Sequence, residues 1–174
     1  GQRVSLVPGS EMVVPLCELA ARHDVPLAIV AGEEKTGRQA AARLDRMIPG
    51  LRVVLVTAPG FPFDSDGPEA NDILRRIADS GAGLCLLGVG APRQEILASR
   101  GREQLPGVGF ASVGAGIDFI AGRQRRAPLL VRRAKMEWLW RAASSPSRLG
   151  PRYLKGFAIL PGHLRRALAT RGGG

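Results

Sequence analysis

A pair of glycines followed by polar side chains is the part of this sequence best suited to chemistry. It lies in LCLLGVGAPRQEILASR, residues 84–100, where an apolar run ends at Gly88 and Gly90 and a helix is expected to begin. Glycines let a ligand approach the backbone closely, and a helix N-terminus can offer N–H groups to a phosphate. Gln94, with Glu95 beside it in the first turn, could hydrogen-bond a sugar hydroxyl or a phosphate oxygen. The pattern predicts a ligand-binding loop, although a plain strand–turn–helix fits it equally well.

Two common phosphate-binding motifs are excluded at this loop. Pro92 suits the first helical position, but Arg93 stands where the dinucleotide fingerprint GxGxxG has its third glycine. No acidic residue follows at the distance that this fingerprint requires, and the chain has no Gly-Lys-Ser/Thr sequence of a P-loop. The loop therefore belongs to neither of these nucleotide-binding classes.

A second glycine loop, SVGAGIDFIAG at residues 112–122, ends the next apolar run. Gly114 and Gly116 are predicted to face the same crevice as the first loop. Asp118 could cap a short helix or contact a ligand, and capping is the favoured interpretation. Both loops would meet at one edge of a parallel sheet, because ligands of open α/β sheets bind at the carboxyl ends of the strands.

An Asp-Ser-Asp sequence, Asp64 to Asp66, resembles the acidic pair that holds a divalent metal on a diphosphate in many sugar-nucleotide transferases. A match of three residues is weak evidence. Asp66 is followed by Gly67 and Pro68, which is good chemistry for starting a helix. The favoured interpretation is that Asp66 caps a helix.

The elements that must position these loops alternate along the chain. Apolar runs rich in Val, Leu and Ile occupy residues 26–32, 51–60, 83–90 and 107–116, and helical patterns occupy residues 10–23, 33–48, 68–80 and 92–104. Continuous apolar strands indicate burial on both faces, as in a parallel sheet covered by helices. Ser10 is a predicted N-cap, and Gly50 and Gly81 follow helix ends. The fold class is therefore α/β, with a Rossmann-like, mostly parallel sheet.

The C-terminal third differs in charge and pattern, which predicts a domain at 1–122 and a basic helical appendage at 123–174. The appendage has no strand pattern, and it contains 13 Lys and Arg against the single acid Glu137, in a chain of net charge +10. Such a segment seeks an anionic partner, and its interleaved aromatic residues suit either an anionic membrane surface or RNA.

The two cysteines, Cys17 and Cys85, lie in apolar runs and are predicted to be buried hydrophobic residues without a disulfide. Their number and spacing suit a reducing cytoplasm. We find no signal peptide and no apolar run near 18 residues in the printed chain.

Four segments in order, LCLLGVGAPRQEILASR, SVGAGIDFIAG, RRAP and MEWLWRAASSPSRLGPRYL, closely resemble the WecG/TagA/CpsF glycosyltransferases. The resemblance implies a metal-independent, inverting enzyme of the N-acetylmannosaminyltransferase type. It would move that sugar from a UDP donor to a polyprenyl-diphosphate-linked amino sugar, in cell-surface polymer synthesis on the cytoplasmic face of the plasma membrane. The alternative is a non-catalytic module that uses its basic tail to bind membrane or nucleic acid.

The resemblance also implies roles for individual residues. The donor crevice would be lined by Gly88, Gly90, Pro92, Gln94, Glu95, Gly114, Gly116, Asp118, Arg126, Arg141, Arg148 and Arg152. Arg141 and Arg148 would neutralise the UDP diphosphate, and the remaining arginines of the tail would approach anionic lipid headgroups. No cofactor, metal or nucleic acid is expected, and a homo-oligomer is allowed. The catalytic base would be an Asp in a segment that family members carry upstream, and no residue here matches it.

Overall fold

The computed structural model describes residues 9–123, which form a parallel sheet with helices on both of its faces. The strands are β1 (Leu27–Val30), β2 (Val53–Thr57), β3 (Leu84–Leu87) and β4 (Gly109–Ser112). The helices are α1 (Gly9–Arg22), α2 (Glu34–Met47), α3 (Pro68–Asp79), α4 (Arg93–Gln104) and α5 (Gly116–Ile120). Each predicted apolar run contains a strand, so the predicted α/β class is confirmed for this part of the chain.

The strand order is β2-β1-β3-β4, and every pair of neighbours is parallel. The chain therefore moves outward from β1 to β2, crosses back over β1 to β3, and continues in that direction to β4. The hydrogen-bond ladder extends past the strand ends, because the Gly88 N–H donates to the Val30 carbonyl at 2.8 Å. This continuation holds the loop after β3 beside the loop after β1.

The sheet separates two apolar clusters, as the continuous apolar run of β1 predicts. Leu27 and Ile29 point into the cluster formed with α1, α2 and α5, whereas Ala28 and Val30 point into the cluster formed with α3 and α4. All four side chains are fully buried. Alternate residues of one strand thus anchor helices on opposite faces, which explains why β1 is apolar throughout.

The local signals at helix ends are partly confirmed. Gly50 and Gly81 follow α2 and α3 with φ values of +83° and +68°, as expected after a helix end. The predicted N-caps are wrong: Ser10 is the second residue inside α1, and Gly67 takes the cap position of α3. Asp66 instead donates its backbone N–H to the Asp64 side chain at 3.0 Å, so that acidic pair shapes the turn before the helix.

Both cysteines are buried and have free thiols, as predicted. Burial raises the pKa of the Cys17 thiol to about 12, with a smaller contribution from the Glu18 carboxylate, and burial alone raises the pKa of the Cys85 thiol to about 12.

We expect both thiols to resist iodoacetamide at pH 8 in the folded protein and to react after unfolding.

Because their folded pKa values lie above the ordinary value of 9.0, the neutral thiols stabilise the fold fully below pH 9. That contribution is lost as the pH rises from 9 toward 12. Denaturant titrations at pH 8 and pH 10.5 measure it, and the double variant Cys17→Ala with Cys85→Ala should lose this part of the pH dependence.

Across residues 9–123, none of the helices combines the length and the apolar character needed to cross a bilayer.

Candidate functional site

The site lies at the carboxyl edge of the sheet, where the strand order reverses. The loop after β1 leads to α2 on one face, and the loop after β3 leads to α4 on the other. In open α/β sheets, such a reversal is the place where a ligand-binding crevice is expected. Gly32, in the loop after β1, would place a Cβ atom 3.5 Å from the Gly88 carbonyl oxygen. Gly32 was not among the predicted site residues, because the reversal depends on strand order, which sequence patterns do not reveal.

Gln94 is a buried polar side chain near the carboxyl edge of the sheet. It lies in the first turn of α4 with only 7% of its surface exposed. Its Nε2 donates to Glu95 Oε1 at 2.7 Å. No residue between 9 and 123 donates to the buried Oε1 atom. A buried carbonyl oxygen without a donor costs about 1–3 kcal/mol, so this atom identifies a place where a ligand could bind.

The structure brings the two predicted glycine loops together at Gln94. A Cβ atom on Gly114 would lie 3.8 Å from Gln94 Oε1 and 3.9 Å from Nε2. Gly90 and Gly114 have φ values of +82° and +53°, which favour glycine at both turns. The second loop therefore forms one wall beside the amide of Gln94, and a side chain at residue 114 would narrow the space in front of it.

The start of α4 offers fewer free backbone N–H groups to a phosphate than the sequence predicted. Pro92 occupies the N-cap position and not the first helical position, and proline has no N–H. The Gln94 N–H is already used by the Gly90 carbonyl at 3.1 Å. Recognition by the Gln94 side chain is better supported than recognition of phosphate by these backbone groups. An unpartnered carbonyl oxygen accepts a hydrogen bond, so it suits a hydroxyl or amide N–H group and not an ionised phosphate oxygen, which is itself an acceptor.

Two of the predicted ligand-contacting glycines instead make room for helices. A Cβ atom on Gly88 would lie 2.6 Å from Ile117 Cδ1, and one on Gly116 would lie 2.7 Å from Val13 Cγ2. Gly88 therefore lets α5 sit directly over the end of β3, and Gly116 lets α5 pack against α1. Because neither glycine has a side chain, α5 can pack closely there and hold the second loop in place. A ligand contact by either glycine stays a prediction.

Asp118 does not cap α5 as predicted. Ala115 holds the N-cap position, and Asp118 is the third residue of the helix, where an acidic side chain is favourable near the positive end of the helix dipole. The sequence pattern placed this helix start too far along the chain.

Arginines hold the far end of α5. Arg43 donates to the Ile120 carbonyl at 3.0 Å, and Arg123 donates to Thr36 Oγ1 at 2.6 Å and pairs with the Glu33 carboxylate. These contacts were not predicted, since they join residues 77 to 90 positions apart. They fix the chain where it leaves α5.

The Asp-Ser-Asp sequence serves the loop before α3. Ser65 is buried, and its carbonyl accepts a hydrogen bond from Arg100 at 2.6 Å, while Asp64 caps the turn as described above. Within residues 9–123, no three His, Cys, Asp or Glu side chains are grouped so that they could hold a metal ion.

The predicted arginines of the tail, Arg126, Arg141, Arg148 and Arg152, lie outside the described residues, as does the predicted appendage beyond Arg123. The domain boundary near residue 122 stays a prediction.

Fold and site together define a Rossmann-like α/β protein with a polar recognition point at the carboxyl edge of its sheet. The model of the glycosyl transferase WecG/TagA/CpsF family matches residues 1–172, so this chain belongs to that family. Membership supports a sugar-transferase role in the synthesis of cell-surface polymers, with a sugar donor and an acceptor as substrates.

Proposed function

We propose that the protein is an inverting glycosyltransferase that moves an N-acetylmannosamine-type sugar from UDP to a polyprenyl-diphosphate-linked amino sugar. The product would enter a cell-surface polymer. The reaction would take place at the cytoplasmic face of the plasma membrane, with the basic residues of segment 123–174 against anionic lipid headgroups. Family membership supports the transferase class, and the particular donor, acceptor and location are our proposal.

The observation that carries this proposal is the buried Gln94 Oε1 atom beside Gly114. Family membership supports a site for a sugar donor, which we take to be a nucleotide sugar, and open α/β sheets bind ligands at the edge where this atom lies. Sugar hydroxyls, an acetamido N–H and the uracil N–H can each donate to such an atom. Gln94 would then orient the donor at the carboxyl edge of the sheet, beside the second glycine loop.

Charge neutralisation would come from the tail. The UDP leaving group gains negative charge as the glycosidic bond breaks, and guanidinium groups stabilise such charge strongly. We assign this role to Arg141 and Arg148, with Arg126 and Arg152 as further phosphate contacts. The general base that takes the proton of the acceptor hydroxyl is expected on an upstream segment, so no residue of the printed chain is assigned to it.

The test measures donor binding and sugar transfer separately. Calorimetry with UDP-N-acetylmannosamine should detect binding to the 174-residue protein. Transfer to a short-chain polyprenyl-diphosphate amino sugar should appear, or increase, when the chain is extended upstream to include the expected Asp. Absence of UDP-sugar binding, together with salt-dependent affinity for RNA, would overturn the proposal in favour of the non-catalytic binding module.

A further inference from the structure

The two ends of the Gln94 amide are in different situations. Its NH₂ group donates to Glu95 Oε1 at 2.7 Å, while its carbonyl oxygen is buried without a donor among residues 9–123. Rotating the amide by half a turn would exchange these two ends without changing the shape of the side chain. Something must therefore decide whether the site presents an acceptor or a donor to the ligand.

The Glu95 carboxylate favours one of these two amide orientations. An ionised carboxylate offers acceptor atoms only, so it can hold the NH₂ end of Gln94 but not the carbonyl end. A hydrogen bond to a charged acceptor is also stronger than one between neutral groups. Glu95 itself is exposed on the first turn of α4, whereas Gln94 is buried. The exposed carboxylate thereby sets the orientation of a buried amide next to it.

We infer that Glu95 is a positioning residue that keeps the Gln94 carbonyl turned toward the ligand, an inference that rests on the proposed donor site. The group recognised by Gln94 is then a hydrogen donor: a hydroxyl or N–H group of the sugar, the ribose or the base. This interpretation changes the prediction for Glu95, which acts on the ligand through Gln94 and has no direct contact with it.

The sharpest variant is Glu95→Lys. A lysine ammonium donates only, so it would attract the Gln94 carbonyl and turn the NH₂ group toward the ligand. We expect the Kd for UDP-N-acetylmannosamine to rise at least about 5-fold, and Glu95→Ala to raise it by a smaller factor. A simple effect of charge predicts the opposite, because losing a carboxylate or gaining an ammonium strengthens binding of a diphosphate. Circular dichroism checks that these surface variants keep the wild-type fold.

A Gln94→Met background separates positioning from direct contact. With no amide to orient, Glu95→Lys should no longer weaken binding, and this loss of effect would show that Glu95 works through Gln94. An equal weakening in both backgrounds would overturn the inference. So would unchanged or tighter binding by Glu95→Lys in the presence of Gln94.

Two ligands locate the recognised hydrogen. If Glu95→Lys weakens UDP and UDP-N-acetylmannosamine equally, the donor group belongs to the base or ribose; if only the nucleotide sugar is affected, it belongs to the sugar. Either result supports the inference. If the wild-type chain binds neither ligand, the proposed function and this inference are overturned together. If the wild type binds, Gln94→Met weakens that binding and Glu95→Lys does not, the inference alone is overturned.

Discussion

Replacement of Gly88 by alanine is expected to lower the free energy of unfolding by about 1–3 kcal/mol, as overpacking does in well-packed cores. The new methyl group would lie 2.6 Å from Ile117 Cδ1 and 3.1 Å from the Gly114 carbonyl oxygen. To make room, the Ile117 side chain must move aside and the Gly114 carbonyl must shift by a few tenths of an ångström. The same shift moves Gly114 relative to Gln94, so donor affinity should fall along with stability. Denaturant unfolding and calorimetry measure the two effects.

A second substitution tests the cause. Ile117→Val removes the Cδ1 atom and should cost about 0.5–1.5 kcal/mol on its own, but little or nothing in the Gly88→Ala background. Gly107→Ala is the matched control, because a Cβ atom there has no neighbour within 4 Å, and it should leave stability unchanged or slightly higher. Additive losses from Gly88→Ala and Ile117→Val would show that the close contact with α5 is not the reason for the glycine.

Replacement of Gln94 by methionine is expected to separate stability from binding. Methionine has a similar shape and no buried carbonyl oxygen, so the cost of about 1–3 kcal/mol for the unpartnered atom disappears. The hydrogen bond to the exposed Glu95 is lost as well, which offsets part of that gain. The free energy of unfolding should therefore stay the same or rise, while affinity for UDP-N-acetylmannosamine falls about 10-fold or more. Thermal melting and calorimetry on one preparation measure both.

Gln104→Met provides the comparison within the same helix. Gln104 is the exposed last residue of α4, far along the helix from the glycine loops, so neither binding nor stability should change much. If Gln94→Met binds the donor as well as the wild type does, the crevice is misplaced. If it is clearly less stable, then Gln94 Oε1 has a partner in the folded protein.

The elements of the sheet could be predicted from the sequence because burial on both faces requires continuous apolar runs. Every strand lies within such a run, and α3 begins at Pro68, a residue suited to a first turn. Helix caps were harder, because several residues near each start can act as acceptors. In the turn before α3, the Asp66 N–H donates to the Asp64 side chain, and Gly67, not Asp66, holds the cap position.

The site was predictable in its location and less so in its roles. A glycine pattern reports that something approaches the backbone closely, but it does not distinguish a ligand from a helix. At Gly88 the close neighbour is Ile117, which is near only because α5 folds back over the sheet. Gln94 could be identified by its place in the loop. The state of its carbonyl, in contrast, depends on the orientation set by Glu95.

The burial of Cys17 and Cys85 makes the protein convenient for site-specific labelling. These are the two cysteines of the chain, and both side chains are enclosed in the core. Gly107 lies in the exposed turn between α4 and β4, at the edge of the sheet opposite the glycine loops, with open space around it. A cysteine introduced there would carry one fluorophore per molecule, far from the crevice. Such a probe could follow vesicle association while the donor site remains free for substrate.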